Sequence, residues 1–451
     1  MYNRNNRKFQ GGVEMKQPHL LRGLWQLNQR LSQWRMMQAI TAALRLVYPF
    51  VLVMTFIDVI GQGFLMKTGF FYQIYHIGHW LPGITIWQQG FTALGLVING
   101  VVAVMIAFAT GYYLARSYHG DALTVGIMSA LAFLTLNLNY GALGAAHAGV
   151  SGVPPFVTTN LGPQGIFLAI VIGLTVGWLA SHLMRGVATW YLRHPRLGQL
   201  GWTGRIAIPL MSVLIMNGAI GLGLSWLNHG GLNGLVYQGL SNLVTNPGHR
   251  GLVILAVTAL NNLFWWLGLI GPVSLAGNSA VTSLQNLAYA VQHGSGWGAP
   301  NPITLHTLGD AYANFGGAGM TLALVIAIWI GSKQVSYRRI ANQTFLPNLV
   351  NLNEPILLGL PVLFNPILLI PFIVAPAVNI VLAWCAITWK LVPPIVYPVP
   401  RTTPGPLMAF LGTGGDWRAF ILSLVCLVVS VLIYLPFIQV LNQEGGSDHA
   451  A

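Results

Sequence analysis

The chain has 451 residues, 55% hydrophobic and 6% charged, and its 21 Lys and Arg against 8 Asp and Glu leave a formal net charge of +13. A soluble protein carries about 25% charged residues, so this composition excludes an ordinary soluble globule and makes a lipid bilayer the solvent. Nucleic acid is excluded as a partner by where the cations sit, in short connections between apolar runs.

The first 40 residues read as a basic cytoplasmic arm. Eight of the 21 Lys and Arg lie in residues 4–45, opposed there only by Glu14. The polar stretch is too long for a secretory signal, and no small-residue cleavage site follows a short apolar core. Leu20, Leu24, Leu27, Leu31 and Trp34 recur at helical spacing, with Arg22, Arg30 and Arg35 off that stripe. The pattern predicts an amphipathic helix, either on the inner membrane surface or packed on the protein itself.

Apolar windows follow near 44–65, 93–115, 122–138, 164–184, 206–227, 251–270, 313–332, 370–389 and 419–438. Each can cross roughly 30 Å of hydrocarbon. Backbone groups cannot go unpaired in lipid, so the windows are helices, and the ten-residue alternation of a membrane barrel is absent. The fold class is therefore an all-α polytopic membrane protein. The 53 Gly and 25 Pro, many inside or beside apolar runs, predict broken or re-entrant pieces around 350–366 and 393–412. Such breaks are tolerated only where the freed backbone is buried or lines a wet cavity, which points to a transporter's substrate site.

Cation placement sets the orientation. The N-terminus, the loop carrying Arg185, Arg193, Arg196 and Arg205, and the segment carrying Lys333, Arg338 and Arg339 are expected in the cytoplasm. The connections near 66–90 and 139–163 carry only Lys67 and are expected outside. Parity then requires one more crossing between the sixth window and Lys333. The weakly apolar, Gly-, Ser- and Asn-rich segment 271–293 is the candidate, facing a cavity rather than lipid. The count is about ten crossings with both termini cytoplasmic.

No chemistry-bearing cluster is found in soluble-enzyme form. Cys385 and Cys426 sit inside apolar spans and read as small packed side chains. No Cys-x-x-Cys, Cys/His cluster, phosphate-binding Walker loop or nucleophile elbow occurs, and the 12 His are scattered. Neither a metal nor a cofactor is expected.

One acid stands out. Glu354 heads the apolar run NLNEPILLGLPVLFNPILLIPF at 351–372, and the next acids in either direction are Asp310 and Asp416. An ionisable group at membrane depth costs a few kcal/mol and is by default a functional residue; the alternative is an acid paired with an Arg or capping a broken helix. Asn351 and Asn353 flank it, and Pro355 blocks regular helix after it. Polar side chains and free backbone groups gathered at one point suit a sugar, with Phe264, Trp265 and Trp266 as candidate aromatic faces.

The same residues carry a resemblance. The 351–372 run resembles the signature N-I-N-E-P-I-x-F-G-x-P-I-x-x-N-P of the integral membrane IIC component of bacterial sugar phosphotransferase systems, in the lactose/cellobiose/chitobiose branch. FGGAGMTLAL at 315–324 resembles the family's F-G-G-S-G-A-T-L, and LFWWLGLIG at 263–271 resembles its W-F-F-G-I-H-G. The resemblance implies an EIIC-like fold of about ten helices plus re-entrant hairpins, dimeric, in the bacterial cytoplasmic membrane. It implies domains at 1–40 (arm), 41–245 (N-terminal half, dimer contact), 246–440 (C-terminal half, substrate site) and 441–451 (tail). It implies a disaccharide-like sugar carried by alternating access to a phosphorylated cysteine on a separate IIB protein, itself served by IIA. Transferred by motif, Glu354 orients the sugar hydroxyl, and Asn351, Asn353, Trp266, Asn262, Gly316 and Gly317 surround the sugar. The family's G-I-H-G histidine aligns with Ile270, followed by Pro272. Isoleucine can neither hydrogen-bond a sugar nor move a proton, which leaves His306 and His293 as substitutes from other segments. Two further readings stay open: a transporter of this fold without phosphotransfer, and a non-transporting membrane sensor or accessory subunit.

Overall fold

The structure is a computed structural model that describes residues 19–140, 155–193, 201–227, 251–269, 271, 280–360 and 362–443. Among the described residues every regular element is helical, and one isolated bridge pairs Leu138 with Phe156. Six helical stretches are long and apolar enough to cross a membrane: Arg35–Ile74, Ile84–Ser117, Pro163–Trp190, Thr203–Trp226, Pro366–Thr388 and Trp417–Leu441. Three shorter apolar helices, Ala122–Leu136, Gly251–Trp266 and Ala318–Gly331, accompany them. Each apolar window read from the sequence falls on one of these stretches. The candidate extra crossing holds the helix Ala280–His293, and most of residues 271–279 lie outside the described residues.

In the first half, Val102–Ser117 is the central helix, packed on Ile166–Arg193, Ala122–Leu136 and Arg35–Asp58. Small residues set these crossings, as they do where lipid offers no hydrophobic drive between helices. Gly173 and Gly177, four apart on Ile166–Arg193, face Thr110 and Gly111; a Cβ on Gly177 would stand 3.3 Å from the Gly111 Cα. In the second half, Pro366–Thr388 packs between Gly251–Trp266 and Trp417–Leu441. Asn379, fully buried on that central helix, donates to the Tyr312 carbonyl at 3.1 Å and to Ser430 Oγ at 2.9 Å.

Several elements cross between the first and second halves of the chain. The helix His19–Ser32 packs against Pro366–Thr388 and Trp417–Leu441, with Leu21, Leu24 and Trp25 set against the core. Leu27 and Trp34 of the same stripe stay exposed. The short helix Glu354–Gly359 packs against Arg35–Asp58. There Gly359 meets the Tyr48 ring, and a Cβ on the glycine would overlap it.

Candidate functional site

The Asn-x-Asn-Glu-Pro segment is a break between two helices. Val335–Leu349 contains Pro347 and ends just beyond it. Asn351 then takes a left-handed backbone, φ +65°, and the Leu352 amide turns back to the Pro347 carbonyl at 2.9 Å. Asn353 precedes Glu354–Gly359 as its N-cap, and Pro355 stands in the first turn, where a missing N–H breaks no helical bond. A second break follows. Phe364 is again left-handed at φ +60°, and Asn365 Oδ1 accepts from the Ile367 amide at 3.0 Å to start Pro366–Thr388. A six-residue helix is thus held between two irregular pieces inside protein, the one place where such backbone is tolerated at membrane depth.

Opposite it lies the glycine loop 315–320. Gly316 and Gly317 have φ of +80° and +97°, where side chains rarely go. A Cβ on Gly317 would also come within 2.7 Å of the Asn353 amide carbon. Gly316 N donates to Asn351 Oδ1 at 2.9 Å, and Asn353 Nδ2 donates to the Ala318 carbonyl at 3.3 Å. From a third direction, Asn262 Oδ1 accepts from Gly319 N at 2.8 Å while its Nδ2 donates to the Thr258 carbonyl at 2.9 Å. From a fourth, the buried Tyr434 hydroxyl donates to the Gly319 carbonyl at 2.5 Å. Asn351 Nδ2 reaches the other way, to the carbonyls of Arg401 at 2.9 Å and Thr403 at 2.8 Å.

Five residues singled out in the sequence therefore meet in one knot: Asn262, Gly316, Gly317, Asn351 and Asn353. Their polar atoms largely serve to hold that knot. Glu354 differs. It is half-buried, and among the described residues the single ion pair is His306 with Asp310, so no cation pairs with Glu354. Among the described residues no side-chain hydrogen bond reaches its carboxylate, and no Arg pairs with it. Its place in the first turn of a short helix remains favourable for a negative charge.

Trp266 lies at the edge of this arrangement. Its Nε1 donates to the Asn365 carbonyl at 3.0 Å, its carbonyl accepts from Phe364 N at 3.2 Å, and the Trp266 and Phe364 ring centres are 6.0 Å apart. It pins the second break to the end of Gly251–Trp266. Ile270 and Pro272 lie outside the described residues. Of the substitute histidines, His293 stacks on Tyr289 at 4.0 Å and shares a contact with its carbonyl at 2.9 Å. His306 Nδ1 stands 2.9 Å from Asp310 Oδ2 within the wide helical turn His306–Asp310.

Sequence reasoning missed two features here. Phe70 N, in the first half, donates to Thr402 Oγ1 at 3.0 Å, beside the carbonyls that Asn351 holds. Asp58 closes Arg35–Asp58, and its Oδ2 accepts from Asn99 Nδ2 at 3.3 Å. The signal for Asp58 was present: it is an acid inside the apolar window 44–65, the trait that singled out Glu354.

Comparison with known proteins follows the same lines. The sequence model of the family described as "Phosphotransferase system, EIIC" matches residues 42–376. The "PTS system cellobiose-specific EIIC component" of Lactococcus lactis is 31% identical over 385 residues, covering 76% of this chain and 78% of that protein. The "PTS system oligo-beta-mannoside-specific EIIC component" of Bacillus subtilis is 24% identical over 424 residues, covering 92% of this chain and 91% of that protein. The crystal structure of the transporter ChbC, the IIC component from the N,N'-diacetylchitobiose-specific phosphotransferase system, covers 96% of this chain and 100% of its own at 24% identity, with a TM-score of 0.44.

Proposed function

The chain belongs to the EIIC family of the phosphotransferase system, the sugar-specific membrane permeases, and from that premise we propose that it carries a cellobiose-like β-linked disaccharide. The observation that carries the reading is Glu354. A carboxylate without a cation partner among the described residues, set at a break in a membrane protein and backed by a glycine knot, is suited to accept a hydrogen bond from a neutral polyol. The knot holds Glu354 in position, and Asn351, Asn353, Asn262, Gly316 and Gly317 act through it. Trp266, pinned at the second break, borders the sugar.

Several finer statements belong to this proposal. The chain crosses the membrane about ten times, both termini face the cytoplasm, and residues 41–245 form the contact of a homodimer. Residues 246–440 carry the sugar and move between outward and inward access. A separate IIB protein, recharged by IIA, phosphorylates the sugar at the inner face, and Glu354 orients the receiving hydroxyl.

The test is uptake of labelled cellobiose into membrane vesicles loaded with phosphorylated IIB. Cellobiose phosphate inside is the expected product. Ile270 supports a second reading, transport without phosphotransfer. Free cellobiose alone inside, with active IIB supplied, would establish that second reading in place of the first. No uptake of any β-linked disaccharide would overturn both.

A further inference from the structure

We propose that the first half of the chain binds an anionic phospholipid, its phosphate held by Arg35 and Arg185 at the Tyr118 ring and one acyl chain laid along the groove beside Trp178. The proposal goes beyond the sugar reading and does not depend on it.

Two cations converge on one ring. Arg35 opens the helix Arg35–Asp58, and its guanidinium carbon stands 5.1 Å from the centre of the Tyr118 ring. Arg185, from Ile166–Arg193, stands over the same ring at 6.0 Å. Tyr118 caps the C-terminal end of Val102–Ser117, so three packed helices of the first half meet here. Arg185 gives one N–H to the Tyr118 carbonyl, and neither Arg is in an ion pair among the described residues. The nearest acid along the chain, Asp121, is engaged elsewhere: it accepts from the Thr124 amide at 3.3 Å and the Thr124 hydroxyl at 2.6 Å. Two exposed guanidinium groups drawn to one ring repel each other unless an anion is shared between them. Their planar forks match phosphate oxygens.

An apolar groove adjoins the cations. Trp178, Leu183, Val187 and Trp190, all on Ile166–Arg193, line a groove of about 360 Å³. Gly186 keeps it open, with nothing within 4 Å of where a Cβ would stand. His182 links groove to ring: its ring centre lies 4.8 Å from that of Trp178 and 5.6 Å from that of Tyr118. From Arg185 back to Trp178 the helix rises about 10 Å. In the topology proposed above, that direction runs from the cytoplasmic headgroup layer into the hydrocarbon, the course of an acyl chain whose phosphate rests at Arg185. Trp34, Trp178 and Trp190 are 62%, 47% and 44% exposed, as tryptophans at a membrane interface are.

Other occupants satisfy one part only. A free phosphate meets the cations and leaves the apolar groove uncovered. A second copy of this face covers the groove but brings its own arginines to the contact. An anionic phospholipid supplies both the charge and the chain, and basic clusters at the cytoplasmic end of membrane helices recognise such headgroups.

The experiment is native mass spectrometry of the delipidated full-length protein in detergent, titrated with phosphatidylglycerol or with phosphatidylcholine of the same chains. Wild type should bind phosphatidylglycerol at least 5-fold more tightly. Arg35→Gln and Arg185→Gln should each weaken that binding about 5-fold, the effect of removing one cation near an anionic headgroup. Arg339→Gln, at an exposed cation of the second half, should leave it unchanged. Gly186→Phe, which fills the groove and keeps both cations, should weaken it as well. Equal affinity of wild type for the two lipids would overturn the proposal, and that comparison needs no variant to fold. So would undiminished binding in both Gln variants, or an equal loss in Arg339→Gln, the mark of a general charge effect. Displacement of the lipid by an equal concentration of inorganic phosphate would assign the cations to a free anion instead. Intact lipid binding in Gly186→Phe, with a dimer split into monomers, would assign the groove to a second copy.

Discussion

Asn351 holds a left-handed backbone and uses its amide on three other segments, at Gly316, Arg401 and Thr403. Replacing it with Ala leaves one buried donor and two carbonyls without their partner, each costing about 1–3 kcal/mol if water cannot reach it. Asn351→Asp is the sharper probe, because a carboxylate presents only acceptors to the two carbonyls. Both variants should unfold at lower temperature than wild type in detergent, the Asp variant lower still; a wild-type melting temperature would refute the strut. Glu354 predicts the opposite pattern. Glu354→Gln should keep the melting temperature yet bind cellobiose about 10- to 150-fold more weakly, the equivalent of roughly 1.5–3 kcal/mol for a bond to a charged group. Wild-type affinity in a folded Gln variant would remove Glu354 from the site.

At the scale of elements, the glycine loop and the broken helix form one unit. Gly317 has φ +97° and ψ −167°, a region open almost only to glycine, and its missing side chain admits the Asn353 amide. Gly317→Ala therefore combines backbone strain of about 1–3 kcal/mol with an overlap that pushes Asn353, and Glu354 after it, out of place. Cellobiose uptake should fall at least as far as in Glu354→Gln, and the melting temperature should fall too. Retained uptake would show that the loop tolerates the shift and does not position the acid. The motif FGGAGM was legible as a match of letters. What the letters concealed is that the asparagines bind the protein, so their side chains position the acid.

At the scale of the whole molecule, the first and second halves share one core. The arm helix rests on the second half, while Arg35, just after it, lies over the Tyr118 ring at 5.1 Å, and Arg185 donates to the Tyr118 carbonyl in the first half. Orientation is the property to test here. In a background lacking Cys385 and Cys426, an impermeant thiol reagent added outside should label Ser151→Cys and spare Ser336→Cys. The reverse labelling would invert the proposed topology and move the site's access to the other face.

The sequence by itself determined the membrane class, the apolar windows and the family, because long apolar runs, missing charge and a contiguous motif are local properties of the chain. It also singled out Glu354, since a lone acid in an apolar run is visible without coordinates. Only the tertiary structure decided what surrounds that acid. The Asn262 contact with Gly319 joins residues 57 apart, the Asn351 contact with Thr403 spans 52, and the Phe70 contact with Thr402 spans 332. Such pairings leave no periodic trace, because a single hydrogen bond constrains one residue at each end.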